Sequence, residues 1–325
     1  MKAVVCTKYG GPEVLQCQEV DEPVLENNAV LIRINAAAVT TAGQIGRKGE
    51  PKLTRLFSGL LRPRKNILGM ELAGEIAAVS PEVTQFKAGD QVFGLTGLSL
   101  GAHAQFKSLS EEAAITHMPA NLSFSESAAV IEGGLTAINF LKHKAKVRSG
   151  QSVLIYGASG SVGTASVQLA KYLGAHVTGV CSTSNLKMVQ DLGADEVIDY
   201  TASDFTQNGK TYDVIFDTQG KRSFPECKAS LNPEGIYLNA AGFSTILYML
   251  WTAMFGKKKA ILATTYTRSS KSMKQDLVEL KQLAEQGAIQ PVIDKCYPPE
   301  EIVEASRYVD AGHKKGNVIL KFNHA

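Results

Sequence analysis

The run "SVLIYGASGSVGTASVQLAKYLGAHVTGVCSTSN", residues 152–185, limits the fold more than any other part of the sequence. It opens on a compact apolar strand and closes on a second one, with Gly157, Gly160 and Gly163 spaced at every third position between them. The segment after the glycines repeats its apolar residues at Val162, Ala165, Leu169 and Leu173, the spacing of one buried helical face. A glycine at the strand end permits a tight turn, and the next lets backbone N–H groups approach a pyrophosphate. The third lets the helix pack close to the strand. The helix start adds unpaired donors and the positive end of its dipole. Strand, glycine turn, helix and second strand within about 30 residues make this a dinucleotide-binding turn rather than a packing turn. The expected pyrophosphate contacts are Gly157, Ala158, Ser159, Gly160, Ser161, Val162 and Gly163.

Which dinucleotide is expected follows from the end of the second strand. A site for NAD carries Asp or Glu about 20 residues beyond the glycines to hold the ribose 2′-OH. No acid occurs between Gly163 and Asp191, and the region reads Cys181, Ser182, Thr183, Ser184, Asn185, Leu186, Lys187. A carboxylate there would repel a 2′-phosphate, whereas these hydroxyls, the amide and the lysine accept one. NADPH is therefore the expected coenzyme.

Around this unit the chain divides by pattern. At 325 residues it exceeds the size at which one core keeps growing. Residues 1–122 alternate short β-rich runs with Gly, Pro and Asp, the pattern of a small antiparallel barrel-like unit. Residues 123–287 alternate apolar strands with amphipathic helices, which implies a parallel, doubly wound α/β sheet. Residues 288–325 offer an extended run, a helix and a terminal strand. With 34 Lys+Arg against 31 Asp+Glu there is no global basic field for nucleic acid, and a small-molecule substrate is expected. Five scattered cysteines without CxxC spacing suit reduced thiols, and the strand-like "KAVVC" directly after Met1 suits an unprocessed cytoplasmic chain. The apolar "ILYMLWTAMF", residues 246–255, is too short for a bilayer core, which takes about 20 apolar residues. It reads as a buried helix or pocket wall, or as a patch touching membrane or a greasy substrate beside Lys257, Lys258 and Lys259.

Several stretches together resemble one family over essentially the whole chain. They are "KYGGPEVL", "LGMELAGEIAAVSPEVTQFKAGDQVFG", "GGLTA", the glycine run above, "LGADEVIDY" and "GHKKGNVIL". The resemblance is to the medium-chain dehydrogenase/reductases, specifically their zinc-independent quinone oxidoreductase-like branch. It implies a GroES-like first domain completed by the C-terminal segment, and a Rossmann nucleotide-binding domain between the two. It also implies a homodimer formed through strands such as "AILATT". Thr136 matches the position beside the nicotinamide, and Asn239, Ala240 and Gly242 match the stretch along its ribose. The resemblance also sets Asp217, Tyr200, Lys315 and Asn317 near the coenzyme.

The departures matter as much. Zinc enzymes of this family show Cys and Asp where this chain has Thr40, Thr41, Ala42 and Gly43, and Gly-His-Glu where it has Gly69, Met70 and Glu71. Catalytic zinc needs Cys, His or carboxylate ligands with an open position, so no metal is expected. His103, His117, His143, His176, His313 and His324 read as surface or packing residues. Zinc-independent relatives show Asn-Pro-x-Asp at residues 40–43, which is also absent here. The implied reaction is hydride transfer to a quinone or to the β-carbon of an enone, with Thr40, Thr41 and Thr136 as candidate donors to the developing oxyanion. An alcohol or aldehyde oxidoreductase is the weaker alternative without a metal. A non-catalytic NADPH-binding sensor or assembly factor is another, because a fold does not fix a function.

Overall fold

The computed structural model describes residues 1–325 apart from 51, 53, 54, 241–244, 264, 266, 267 and 325. The chain forms two compact units, Met1–Glu132 with Arg268–Gln286 and Pro291–Ala325, and Gly133–Thr267 with Gly287–Gln290.

The first unit is built on strands β1 (Lys2–Cys6), β2 (Leu15–Glu19), β3 (Ala29–Ala38), β4 (Glu71–Val79), β5 (Gln91–Leu95), β6 (Phe106–Ser110) and β7 (Ile115–His117). It holds helices α1 (Thr41–Lys48) and α2 (Arg55–Ser58), and helix α3 (Phe124–Ala137) leads out of it. β3, "AVLIRINAAA", is the hub: it pairs antiparallel with β4 and β6 and buries Val30, Ile32 and Ile34 on alternate positions.

The second unit carries strands β8 (Ser152–Tyr156), β9 (His176–Cys181), β10 (Glu196–Asp199), β11 (Tyr212–Asp217), β12 (Leu231–Asn239) and β13 (Lys259–Leu262). All run parallel, in the order β10-β9-β8-β11-β12-β13. Helices α4 (Ser161–Tyr172), α5 (Leu186–Asp191), α6 (Phe224–Cys227) and α7 (Thr245–Phe255) belong to the connections. β8 and β11 are neighbours in space and not in sequence, so the winding reverses between them. Ligands of such sheets bind at that switch point, beyond the strands' carboxyl ends.

The C-terminal elements are helix α8 (Ser270–Glu285), strand β14 (Ile293–Tyr297), helix α9 (Ile302–Asp310) and strand β15 (Asn317–Lys321). β15 pairs antiparallel with β3, Ile319 opposite Ala38, and parallel with β14, which closes the first unit's sheet. The division differs from the expected boundaries of 122 and 287. Residues 123–132 and α8 join the first unit; α8 is held there by Lys274 Nζ donating to Gln85 Oε1 (2.7 Å) and to the Glu111 carbonyl (3.0 Å). Asn121 Nδ2 donates to the Ala284 carbonyl at 3.0 Å in the same unit. Residues 287–290 return to the second unit, where the Gln168 amide makes both bonds to the Gln290 backbone.

Asp310 ties α9 to α1 through two cations, Arg47 and, 3.1 Å from its Oδ1, Lys48. The fully buried Arg47 guanidinium donates to Asp310 Oδ2 (2.6 Å), to the Gly10 carbonyl (2.6 Å) and to Gln44 Oε1 (2.9 Å). Removing the carboxylate leaves a buried cation without its counter-charge. Asp310→Ala is therefore expected to lower stability by about 3 kcal/mol in urea denaturation; an unchanged midpoint would show that water replaces the carboxylate at no cost.

Candidate functional site

The turn after β8 is formed by backbone brought closer than a side chain allows. Gly157 has φ +81°, and a Cβ there would stand 2.6 Å from Gln219 Cγ and 2.7 Å from Thr218 Oγ1. Gly157 N and Ala158 N both donate to the Val180 carbonyl, at 3.0 and 2.9 Å, and so pin the turn to β9. A Cβ on Gly163 would lie 2.1 Å from the Gly157 carbonyl oxygen, and one on Gly133 of α3 would lie 2.3 Å from the Ser161 carbonyl oxygen. Three backbone segments thus converge at the start of α4. Gly160 caps that helix with no side-chain bond, so the first-turn N–H groups lack intrahelical acceptors. Buried beside them, Ser161 Oγ and Asn185 Oδ1 have no hydrogen-bond partner among the described residues. Buried polar atoms seldom remain unpaired, and here two do so next to a helix end suited to an anion.

The β9 side of the turn is held by amide and hydroxyl groups. Asn185 Nδ2 donates to Ser159 Oγ and to Ser182 Oγ, 3.1 Å each, which links the glycine turn to the loop after β9. Thr183 and Ser184 are exposed, and Thr183 Oγ1 donates to Asp199 Oδ2. Cys181 is buried, its thiol pushed up to about 11, chiefly by burial. Its carbonyl accepts from Tyr200 N at 3.1 Å, and the Tyr200 side chain stands in solvent. Lys187 does not reach towards the turn: its Nζ binds both oxygens of Asp191, one helical turn on, at 2.9 Å.

An acid does stand on the neighbouring strand, turned onto its own chain. Asp199 ends β10 in register with Cys181, and it accepts from Thr183, from Thr201 N (2.9 Å) and from Thr201 Oγ1 (2.7 Å). These bonds, that from Thr183 first, hold its carboxyl below the usual range.

Asp217 differs from expectation in its role. It is fully buried at the end of β11 and accepts from the backbone N–H groups of Gln219 (2.9 Å), Gly220 (2.9 Å) and Arg222 (2.7 Å). Burial pushes its carboxyl up despite those donors. The carboxylate folds the 218–222 loop, and that loop lays Gln219 over the glycine turn, a contact the sequence reading missed. The Gln219 amide nitrogen would stand 3.3 Å from a Cβ on Gly160. Asn239 is buried and donates from Nδ2 to Tyr237 Oη at 3.0 Å; Ala240 N bonds the Asp217 carbonyl at 3.2 Å. Gly242 lies outside the described residues. Thr136 is buried at the end of α3 and accepts from Thr265 Oγ1 at 3.2 Å. Val162 is half-buried in the first turn of α4.

The remaining candidates belong to the first unit. Thr40 is buried and caps α1, its Oγ1 accepting from Gly43 N at 3.1 Å, while Thr41 is exposed at the helix start. Asn317 serves the β14–β15 junction, donating from N and Nδ2 to the Val292 carbonyl at 2.8 and 3.1 Å. Lys315 N donates to Asp294 Oδ2 at 2.8 Å, and its side chain is exposed. His103 is buried against Gly69, with Nε2 2.9 Å from the Ala38 carbonyl. Among the described residues no three His, Cys, Asp or Glu side chains converge as metal ligands do. A polar surface cavity of about 360 Å³ lined by Gln168, Lys171, Tyr172 and Asp191 lies away from the glycine turn.

A doubly wound sheet with an uncapped helix at its glycine turn defines a nucleotide-binding α/β protein, and comparison with known proteins narrows this further. The alcohol dehydrogenase GroES-like domain family matches residues 26–125, and the family described as zinc-binding dehydrogenase matches residues 192–320. The chain is 31% identical over 336 residues to a quinone oxidoreductase of Mus musculus, covering 98% of this chain and 97% of the relative. It is 30% identical over 331 residues to a 2-methylene-furan-3-one reductase of Solanum lycopersicum, covering 98% and 79%. Among solved structures, a Pseudomonas syringae pv. Tomato DC3000 quinone oxidoreductase superimposes with a TM-score of 0.86 at 27% identity, covering 99% of each chain. The chain belongs to the medium-chain dehydrogenase/reductase superfamily, in its quinone oxidoreductase-like branch. It is an oxidoreductase, and the coenzyme of its family is a nicotinamide dinucleotide.

Because the Gly163 position faces backbone, its neighbours cannot rotate away. Gly163→Ala is expected to cost about 1–3 kcal/mol, the range of overpacking in a close-packed interior, read as a lowered midpoint in chemical denaturation. A midpoint equal to that of the unsubstituted chain would mean that helix and turn separate freely.

Proposed function

We propose that the enzyme transfers hydride from NADPH to a quinone or an α,β-unsaturated carbonyl without a metal. The observation that carries the reading is the start of α4, which has no side-chain cap, with the buried Ser161 hydroxyl beside it unpartnered among the described residues. A diphosphate there would accept from the first-turn N–H groups and from the Ser161 hydroxyl. The relatives named for quinone and enone reduction support the substrate class.

The preference for the 2′-phosphorylated coenzyme rests on what ends β9. Ser182 and the Asn185 amide stand at the position where NAD sites carry an acid, and Asp199 is turned onto Thr183 and Thr201. A bound nicotinamide supplies the hydride; the chain supplies position, exclusion of water and donors for the substrate oxygen. Thr136, Thr40 and Thr41 are the proposed donors, and Asn239, Ala240, Gly242, Tyr200, Lys315 and Asn317 the proposed outer contacts of the coenzyme. In this reading the substrate oxygen is polarised by hydrogen bonds. The free edge of β13 supports a homodimer through that strand. Five unpaired cysteines suit a reducing, cytoplasm-like compartment.

Calorimetric titration with both reduced coenzymes tests the reading. NADPH is expected to bind at least about tenfold tighter than NADH, a difference of about 1.4 kcal/mol. Asn185→Asp should erode that ratio by setting a carboxylate where the phosphate is expected. Equal or tighter binding of NADH would overturn the preference. Thr136→Val should slow reduction of a quinone or enone about tenfold or more while leaving the NADPH dissociation constant unchanged; undiminished turnover would remove Thr136 from the reaction.

A further inference from the structure

β9 ends without an acid, yet a carboxylate stands one strand away. β9 and β10 run parallel, and their register sets Asp199 opposite Cys181 at the carboxyl edge of the sheet. Tyr200 N donates to the Cys181 carbonyl at 3.1 Å, so the two strand ends stay paired where their loops begin. The loop after β9 holds Ser182, Thr183, Ser184 and Asn185, the groups expected to meet a 2′-phosphate, and it touches that carboxylate directly. Thr183 Oγ1 donates to Asp199 Oδ2, while Thr201 N (2.9 Å) and Thr201 Oγ1 (2.7 Å) donate to Oδ1.

Asp199 is ionised. The Thr183 bond first, and then those of Thr201, hold its carboxyl below the usual range, with no cation among the causes. Its charge reaches across the strand pair: burial, and after it Asp199, pushes the Cys181 thiol up to about 11. Lys187 brings no neutralisation, because its ammonium group binds Asp191. A negative charge thus lies at the rim of a site for a dianion, covered only by hydroxyl and backbone donors.

The hydrogens of the two threonines are already directed. A hydroxyl has one to give; that of Thr183 points to Oδ2 and that of Thr201 to Oδ1, with the two hydroxyl oxygens 3.3 Å apart. In this arrangement Thr183 has no hydrogen left for a phosphate and offers it lone pairs alone. What its hydroxyl does is cover the carboxylate oxygen nearest the β9 loop. Thr201 by itself would leave Oδ2 without a donor. A bare carboxylate there attracts a ribose 2′-OH, which donates to it, and repels a 2′-phosphate.

We propose that Thr183 is a specificity-determining residue: together with Thr201 it clamps Asp199, and the clamp lets the β9 loop receive a 2′-phosphate with an acid beside it. The inference rests on the coenzyme reading above for the place of the phosphate, and it assigns the preference to two hydroxyls as well as to a missing acid.

Titration calorimetry with NADPH and NADH on the parent chain and its variants tests the clamp. Thr183→Val removes the hydroxyl at nearly constant volume; it should weaken NADPH about fivefold or more and leave NADH within about twofold. Thr183→Ser keeps the donor and should keep the parent's ratio. Asp199→Asn removes the charge and should bind NADPH at least as tightly as the parent. In Thr183→Val/Asp199→Asn the loss should vanish, because the threonine acts through the carboxylate. An unchanged ratio in Thr183→Val overturns the proposal, as does weaker NADPH binding by Asp199→Asn. A loss of the same size with and without the Asp199 charge overturns it too, and would make Thr183 a direct phosphate contact. Thr183 is exposed, and circular dichroism checks each fold; Asp199→Asn, which keeps both threonines, reads the sign of the effect independently. The parent chain separates this inference from the reading it rests on. Uptake of neither coenzyme refutes the site and the clamp together. Tighter NADH in the parent refutes the preference alone, and a further shift towards NADH in Thr183→Val would still support the clamp.

Discussion

The second unit depends on how closely the first turn of α4 approaches the end of β8. The Gly157 carbonyl occupies the space a side chain on residue 163 would need, and the Ser161 carbonyl does the same towards residue 133. With those side chains absent, turn, α3 and α4 meet through backbone, and the first N–H groups of α4 are left facing open space at the sheet's carboxyl edge. A site assembled from backbone donors is insensitive to most side-chain changes around it. Asn185, Ser159 and Ser182 form a local amide–hydroxyl network beside those backbone donors.

Much of this was legible because it rests on local periodicity. The strand from Val153, the glycines and the helical face through Leu169 appear in sequence order, and the structure keeps them in that order. What was not legible depends on which strands are neighbours. Asp199 lies beside Cys181 only because β10 pairs with β9, and its bonds to Thr183 and Thr201 follow from that register. Asp217 read as a residue near a ligand, since it ends a strand at the right edge. Three backbone N–H groups instead consume its oxygens in building a loop. Lys187, read from the sequence as one of the groups that accept a 2′-phosphate, is bound to Asp191 one turn on along α5.

The division into compact units departs from the expected limits for a related reason. α8 has the amphipathic spacing of a sheet-covering helix, so sequence order assigned it to the parallel sheet before it. Long polar side chains decided otherwise: Lys274 reaches Gln85 and Glu111, and Asn121 reaches the end of the helix, all within the first unit. Residues 246–255 posed the opposite difficulty, since Leu247, Leu250 and Met254 of the expected buried helix stand outside this chain's own core. Their composition matches that of a core helix, and composition alone cannot tell a face packed inward from one left to meet a partner. The threonines at 245 and 252 mark the inner side, a cue weaker than the leucines that surround it.

The proposed reaction needs hydrogen atoms aimed at a substrate oxygen, and the bonding of the threonines bears on whether they have any to give. A hydroxyl has one donor hydrogen and two acceptor lone pairs. Thr40 accepts from Gly43 N in capping α1, and Thr136 accepts from Thr265 Oγ1. In both, the bond that fixes the side chain uses a lone pair and leaves the hydrogen available. Each residue is buried, so a hydrogen bond it donates is not diluted by bulk water and is worth more than the same bond at the surface. Thr41, exposed at the start of the same helix, has no such advantage. Of the two adjacent threonines, Thr40 is therefore the one whose hydroxyl hydrogen is both held in place and shielded from water, as the proposed role requires.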